Sequence, residues 1–428
     1  MQLRAVFGPR ERSGAAGEVR FMGSRVSGID TVRPRALGPL GAIALLAVVS
    51  AGCAGGPAPP ARAPFTEAEH RAAEVVGMPG VRFWVDSPAA FQRWRERNAG
   101  AATPLTIAGE HEQGLVWLAL SGGADDGAYG AGILNGWTTA GTRPQFTVVS
   151  GVSTGALIGL LAFLGPDYDA QLASLYTETA REAIYRPKAG AALLGSSILD
   201  ETPFRQRVAE VVGAEVLAEV AREHARGRRL LVITTNLDAQ RAAVWDMGAI
   251  ATSGHPNALE VFRDVLIASA SPPGLFAPTY IEVEANGRRF QEMHVDGAVG
   301  DPVFSPADIL VLTRGMVAPE SPVKRTLFVL VNNTLRPQFE VVKNNTIPIV
   351  YRSFSTLGMK SLIAEVYRAN RVARENDIDF NLSFIGPEFQ SKPAESFDLD
   401  YRRKLFAYAR ERALTGEPWR KQPPRAED

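Results

Sequence analysis

The sequence predicts an α/β fold built on a mostly parallel sheet, and three observations lead there. Residues 115–120, Leu-Val-Trp-Leu-Ala-Leu, are a near-continuous apolar run of strand length, the pattern of a strand covered on both faces. A glycine-rich turn and a small-residue helix follow it; one βαβ unit further on, a second strand at 146–149 feeds Gly-Val-Ser-Thr-Gly and an apolar, helix-competent run at 156–164. A third apolar strand, Leu-Leu-Val-Ile-Thr-Thr-Asn, stands at 230–236. Consecutive units of this kind bring their turns to one carboxyl edge of the sheet, where open α/β sheets carry their sites.

The remaining elements fill in around these strands. Residues 204–226 read as outer-layer helices, and 243–247 as a strand paired beside the third. Residues 266–278 join a helix end to a proline-stiffened apolar loop, and 289–296 form a strand ending in Asp-Gly. Strands at 326–331 and 380–385 flank a mostly helical 350–375, and a charged tail starts at Lys421.

Composition narrows the function classes. The 428 residues carry 46 Lys plus Arg against 46 Asp plus Glu, a formal net charge of zero, so no basic field attracts nucleic acid. One cysteine excludes an internal disulfide framework and a multi-cysteine metal site. Neither a metal nor a cofactor is expected.

Residues 1–30 show no sustained apolar period. Arg33 and Arg35 then precede a short apolar run at 37–49 that ends in Ser50-Ala51-Gly52-Cys53. A basic flank, a short apolar core and small residues make a secretory signal, too short to span a bilayer comfortably. The cysteine directly after the small residues resembles the lipobox of bacterial lipoproteins, with Ser50 where an aliphatic residue is more usual. That resemblance implies lipidation of Cys53 and a place on the bacterial cell envelope; an ordinary cleaved signal implies secretion. The expected organisation is an export segment (1–53), a Pro/Gly/Ala linker (54–64), a small N-terminal helical appendage (65–112) and the main domain (113–420). The appendage opens on a capping box, Thr66 to Glu69, and includes a short strand at 81–85 and an amphipathic helix around Phe91 and Trp94.

The chemistry centres on Ser153. A serine on a sharp strand-to-helix turn needs neighbours without bulk, here Gly151 and Gly155, and it sits at a helix N-terminus that favours negative charge. The competing reading is a glycine-flanked turn that happens to carry serine. The earlier turn, Ser121-Gly122-Gly123-Ala124-Asp125-Asp126-Gly127, reads as an oxyanion hole, a phosphate cradle or close packing of helix on sheet. No Gly-Lys-Ser/Thr follows it, which disfavours a nucleotide P-loop. A serine hydroxyl needs a base, and there are five histidines. His70 and His111 read as peripheral surface residues, His224 as part of a solvated helix end and His255 as a turn residue. His294 reads as a structural neighbour of Asp296. A Ser-acid-His order through Asp246 and His255 or His294 lacks the loop context of a triad. Asp296, at a strand end before Gly297, is either an Asp-Gly turn or a base whose pKa desolvation must raise.

Taken in order, Gly-Gly-Ala-Asp-Asp-Gly (122–127), Gly-Val-Ser-Thr-Gly (151–155) and Asp-Gly-Ala (296–298) resemble the motif set of the patatin-like phospholipases. The Ala-Ser-Ala-Ser-Pro-Pro loop at 268–273 is similar to a further segment of that family. The resemblance implies a three-layer α/β/α sandwich and a Ser/Asp dyad without histidine that hydrolyses acyl esters of phospholipids or neutral lipids through an acyl-enzyme. Ser153 is then the nucleophile, Asp296 the general base, and the amides of Gly122, Gly123 and Ala124 the oxyanion hole, with Gly127, Gly151, Gly155 and Gly297 supporting the turns. The chain departs from the family pattern twice. Ala124 replaces a glycine, which suits only a negative φ. Asp126 replaces an Arg or Lys, which suits only a solvent-facing or helix-capping carboxylate. Asp126 motivates the alternative of a catalytically weak or silent envelope lipoprotein that binds acyl chains or a partner.

Overall fold

The computed structural model describes residues 62–97, 114–188, 195–305, 308, 324–416 and 418–424; Cys53, the export segment and His111 lie outside them. In chain order the elements are α1 (Glu67–Ala72), β1 (Glu74–Val75), β2 (Arg82–Trp84), α2 (Pro88–Arg97), β3 (Leu115–Leu120), α3 (Gly127–Thr139), β4 (Val148–Val152), α4 (Thr154–Leu164), α5 (Asp169–Thr177), β5 (Arg186–Pro187), β6 (Leu199–Asp200), α6 (Thr202–Val211), α7 (Ala214–Ala225), β7 (Arg229–Asn236), β8 (Arg241–Asp246), α8 (Met247–Thr252), α9 (Ala258–Ser269), β9 (Thr279–Ala285), β10 (Arg288–Asp296), β11 (Arg325–Val331), α10 (Thr346–Glu375), β12 (Asp379–Phe384) and α11 (Leu399–Leu414).

All of the strands except the β5–β6 pair join one mixed sheet. Strands β12, β11, β3, β4 and β7 run parallel in that spatial order, and β10, β9 and β1 continue it antiparallel. Successive side chains of a strand point to opposite faces, and β3 shows the result. Val116, Leu118 and Leu120 enter the core built with α3, α4, α9 and α11, while Leu115, Trp117 and Ala119 enter the one built with α2 and α10. Both faces are covered, which is why these strands carry no polar alternation and why the architecture has three layers, α/β/α.

The small residues of α3 have a use the sequence left open. A Cβ at Gly132 would lie 2.4 Å from the Phe406 carbonyl oxygen, and one at Gly136 2.4 Å from that of Arg410. The glycines therefore let α3 and α11 approach backbone to backbone, and a side chain at either would drive the helices apart.

The segment expected as a helical appendage is knitted into the sheet. The capping box forms as read, with the Glu69 N–H donating to Thr66 Oγ1 at 3.2 Å and the Thr66 N–H to Glu69 Oε2 at 2.7 Å. However, β1 pairs with β9 and β2 pairs with β8. Phe91 and Trp94 of α2 close on Phe83 of β2, with ring centroids 5.3 and 5.0 Å away. The strand expected at 81–85 forms as β2, whereas the two residues of β1 leave no period in the sequence, and the edge that β9 offers creates it.

Strand β7 decides where the site lies. Residues 231–236 pair with β8 along one edge. The other edge is shared: residues 229–233 pair with parallel β4, and Thr234 to Asn236 pair with antiparallel β10. The carboxyl ends of β4 and β10 therefore meet head to head, with Val152 opposite Ile233 and Asp296 opposite Thr234. Residues 143 positions apart in sequence become neighbours by register alone.

Candidate active site

Ser153 occupies the turn between β4 and α4 with φ 56° and ψ −127°, a conformation that L-residues adopt only under strain of about 1–3 kcal/mol. Gly151 and Gly155 make the turn possible by close approach. A Cβ on Gly151 would lie 2.3 Å from the Gly155 oxygen, and one on Gly155 2.5 Å from the Ser121 oxygen. Gly127 and Gly297 are equally confined, their added Cβ atoms falling 2.3 Å from Thr154 Oγ1 and 2.3 Å from the Ile233 oxygen.

The Ser153 hydroxyl donates to Asp296 Oδ2 at 2.7 Å, and both residues are buried. Asp296 Oδ1 accepts from the Ala298 N–H at 2.9 Å. Burial pushes the Asp296 carboxyl up to about 7, against these two hydrogen bonds, which favour the ionised form. A hydroxyl held on a carboxylate poised near neutrality can pass its proton to that carboxylate as the oxygen attacks.

Gly122 lies against the serine, since a Cβ there would stand 3.1 Å from Ser153 Cβ. The N–H groups of Gly122, Gly123 and Ala124 donate to no backbone or side-chain acceptor among the described residues. Ala124 has φ 47°, so the negative φ that would make alanine harmless is not what the turn adopts. The methyl group is tolerated in the left-handed region at a cost of about 1–2 kcal/mol. Asp126 neither caps α3 through its side chain nor stands free in solvent. Its Oδ1 accepts from the Tyr401 hydroxyl at 2.5 Å, and burial pushes its pKa up to about 7, which mutes the negative charge beside the glycine turn.

No described histidine hydrogen-bonds to Ser153 or Asp296. His294 is fully enclosed between Thr234 Oγ1 at 2.9 Å and Glu292 Oε2 at 3.1 Å. Burial disfavours the charge on Glu292, but Arg82 and His294 overcome it and hold the carboxylate well below its ordinary range. His70 belongs to the same cluster, 3.4 Å from Glu292 and buried rather than peripheral. His224 is likewise buried, 3.4 Å from Asp246 Oδ1, not solvated at a helix end. Asp246 itself caps α8 through Ala249, 3.0 Å away. His255 binds the Asn257 N–H within its turn.

The positioning roles of four residues, Ser269, Ser271, Asn332 and Thr235, were not assigned from the sequence, although the loop that holds the two serines was singled out. Ser269 Oγ accepts from the Ser153 N–H at 3.0 Å and donates to the Ile233 oxygen at 2.6 Å. The Ser271 carbonyl accepts from the Asp296 N–H at 3.0 Å. The alternating serines before Pro272 thus clamp both ends of the dyad, and that alternation in front of two prolines was the available signal. Asn332, just past β11, holds the glycine turn: its side chain donates to the Ser121 oxygen at 2.8 Å and accepts from the Gly130 N–H at 3.0 Å. A polar residue at a strand's carboxyl end was the hint there. Thr235 Oγ1 donates to the Asp296 carbonyl at 2.9 Å.

The raised Asp296 pKa makes stability depend on pH. The folded protein holds this proton up to about pH 7, while the unfolded chain releases it near 3.8. The native state therefore binds more protons between those values, and stability falls as pH rises through the window. Asp296→Asn, which cannot ionise, should exceed the parent by a few kcal/mol at pH 8 and match it near pH 4 in urea unfolding; a gap that does not change with pH contradicts this.

Residues 118–311 match the family described as Patatin-like phospholipase. No curated protein matches the chain. Among solved structures, VipD from Legionella pneumophila aligns at 12% identity and a TM-score of 0.33, over 71% of this chain and 67% of that one. Human GIVD cytosolic phospholipase A2 aligns at 11% identity and a TM-score of 0.27, over 76% and 67%. Both likenesses are remote. The matched residues include Ser153, Asp296 and both glycine turns, within a mixed α/β/α sandwich; residues 118–311 are similar to the patatin-like phospholipase family.

Proposed function

We propose that the protein is a serine acyl hydrolase that cleaves ester bonds of phospholipids or neutral lipids with Ser153 as nucleophile and Asp296 as general base. The observation that carries this reading is the 2.7 Å hydrogen bond from the Ser153 hydroxyl to a buried carboxyl with a pKa near 7. Asp296 takes the hydroxyl proton while Ser153 Oγ bonds to the ester carbonyl carbon, and the carbonyl electrons move onto oxygen. The amides of Gly122, Gly123 and Ala124, which donate to no other acceptor among the described residues, and the N-terminus of α4 would stabilise that oxyanion. Collapse expels the alcohol, which takes the proton from Asp296 and leaves an acyl-serine. Asp296 then deprotonates water, which attacks the acyl carbon; collapse breaks the bond from that carbon to Ser153 Oγ, which takes the proton back from Asp296 as the fatty acid leaves.

The raised pKa of Asp126, which leaves it only partly ionised near neutral pH, weakens the motive for a silent lipid-binding protein. Among residues outside the described part, Cys53 supports a lipid-anchored position on a bacterial envelope. In that case the mature chain begins at Cys53 with an acylated thiol, read by mass spectrometry; a chain cut elsewhere and unmodified overturns the anchor.

Ser153→Ala should lower hydrolysis of short p-nitrophenyl esters by at least about 10³-fold, and Asp296→Asn by about 10²–10⁴-fold, both with unchanged circular dichroism. Retained turnover in folded Ser153→Ala defeats the assignment.

A further inference from the structure

The two halves of α10 are built differently. From Leu362 onward the helix buries Leu362, Val366, Ala369 and Val372 in the core. Between residues 346 and 361 no described side chain is buried. That half nevertheless carries Val350, Phe354 and Leu357 at i, i+4 and i+7, a single stripe, with Phe354 57% and Leu357 67% exposed. The loop before it adds Phe339, 84% exposed, and Val341. Most of the exposed large apolar side chains among the described residues fall between 339 and 367. Clustering of this kind marks an interaction surface.

The charge around the stripe selects the partner. Between residues 336 and 360 stand Arg336, Lys343, Arg352 and Lys360 against Glu340 alone, in a chain of zero net charge. Glu340 is taken up by Arg352 at 3.2 Å, and no ion pair engages Lys343 or Lys360 among the described residues. Apolar side chains with unengaged cations on a helix and the loop that leads into it fit an anionic lipid–water interface. No helix among the described residues is long and apolar enough to cross a membrane, so this one would lie in the interface. The Tyr351 hydroxyl stands within electrostatic range of Asp125 and Asp126 in the glycine turn, whose charges raise its pKa after desolvation has done so.

We propose that residues 339–360 dock the protein on an anionic lipid surface, with Phe339, Phe354 and Leu357 among the acyl chains and Lys343 and Lys360 on the headgroups. Docked in this way, the glycine turn and Ser153 are held close to the lipid. The proposal rests on the lipid-ester reading of the site for its purpose, though not for its test.

The test is co-sedimentation of the full chain carrying Cys53→Ser, so that no N-terminal acyl group contributes. Vesicles of phosphatidylcholine alone are compared with vesicles containing phosphatidylglycerol. The parent should prefer the anionic vesicles and lose that preference as salt rises. Phe354→Ser with Leu357→Ser, and separately Lys343→Glu with Lys360→Glu, should each weaken binding at least tenfold. Hydrolysis of a soluble short-chain ester, which also reports folding, should stay within twofold of the parent, while hydrolysis of vesicle lipid falls in step with binding. Equal sedimentation of parent and variants overturns the proposal. So does a parent dimer that the serine variants convert to monomer, because a second copy then covers the stripe. If the parent prefers anionic vesicles and the variants lose that preference, but the parent turns over no soluble ester, docking stands and the hydrolase reading falls.

Discussion

A carboxyl group buried against a serine hydroxyl is the interaction on which the rest of the structure depends. Taking Asp296 out of water costs free energy, which its raised pKa records, and only a fold that rigidly fixes both strand ends can sustain it. Strand β7 does so by sharing one edge between β4 and β10. The serine clamp at 269 and 271 then fastens the main-chain amides of both residues. Glycine at 151 and 155 follows as a steric consequence, because the turn that lifts Ser153 presses backbone onto backbone.

The electrostatics around the dyad follow the same logic. Asp125, Asp126 and Asp296 all have pKa values raised by desolvation, to about 6, 7 and 7. Near neutral pH Asp126 and Asp296 are thus only partly ionised, while Asp125 keeps most of its charge. The Tyr401 hydroxyl and the Phe397 N–H, both brought by the chain near α11, donate to Asp126 Oδ1 and Asp125 Oδ2. The C-terminal part of the chain therefore completes the environment of a turn formed near residue 124.

Much of the site was legible in the sequence because its chemistry is local. Continuous apolar runs marked β3, β4 and β7, and the Gly-x-Ser-x-Gly spacing marked the strained turn. Asp296 was legible only as one of two readings until the three motifs were taken in order, since an Asp-Gly pair is common in turns. Long-range facts were hidden. Nothing near His70 or His224 announces that Glu292 and Asp246 will draw them inside, and residues 74–75 become a strand only when β9 presents an edge. The positive φ of Ala124 contradicts local preference outright; Asn332, whose carbonyl would lie 1.9 Å from a Cβ on Gly123, is part of the scaffold that imposes the turn's shape.

The most direct test of the account is the pH dependence with which a fluorophosphonate labels Ser153. If Asp296 activates the hydroxyl, the labelling rate rises with pH and levels off with an apparent pKa near 7, and Asp296→Asn flattens the profile at a low rate. A rate that does not vary between about pH 5 and 9, or a profile unchanged by Asp296→Asn, would contradict it.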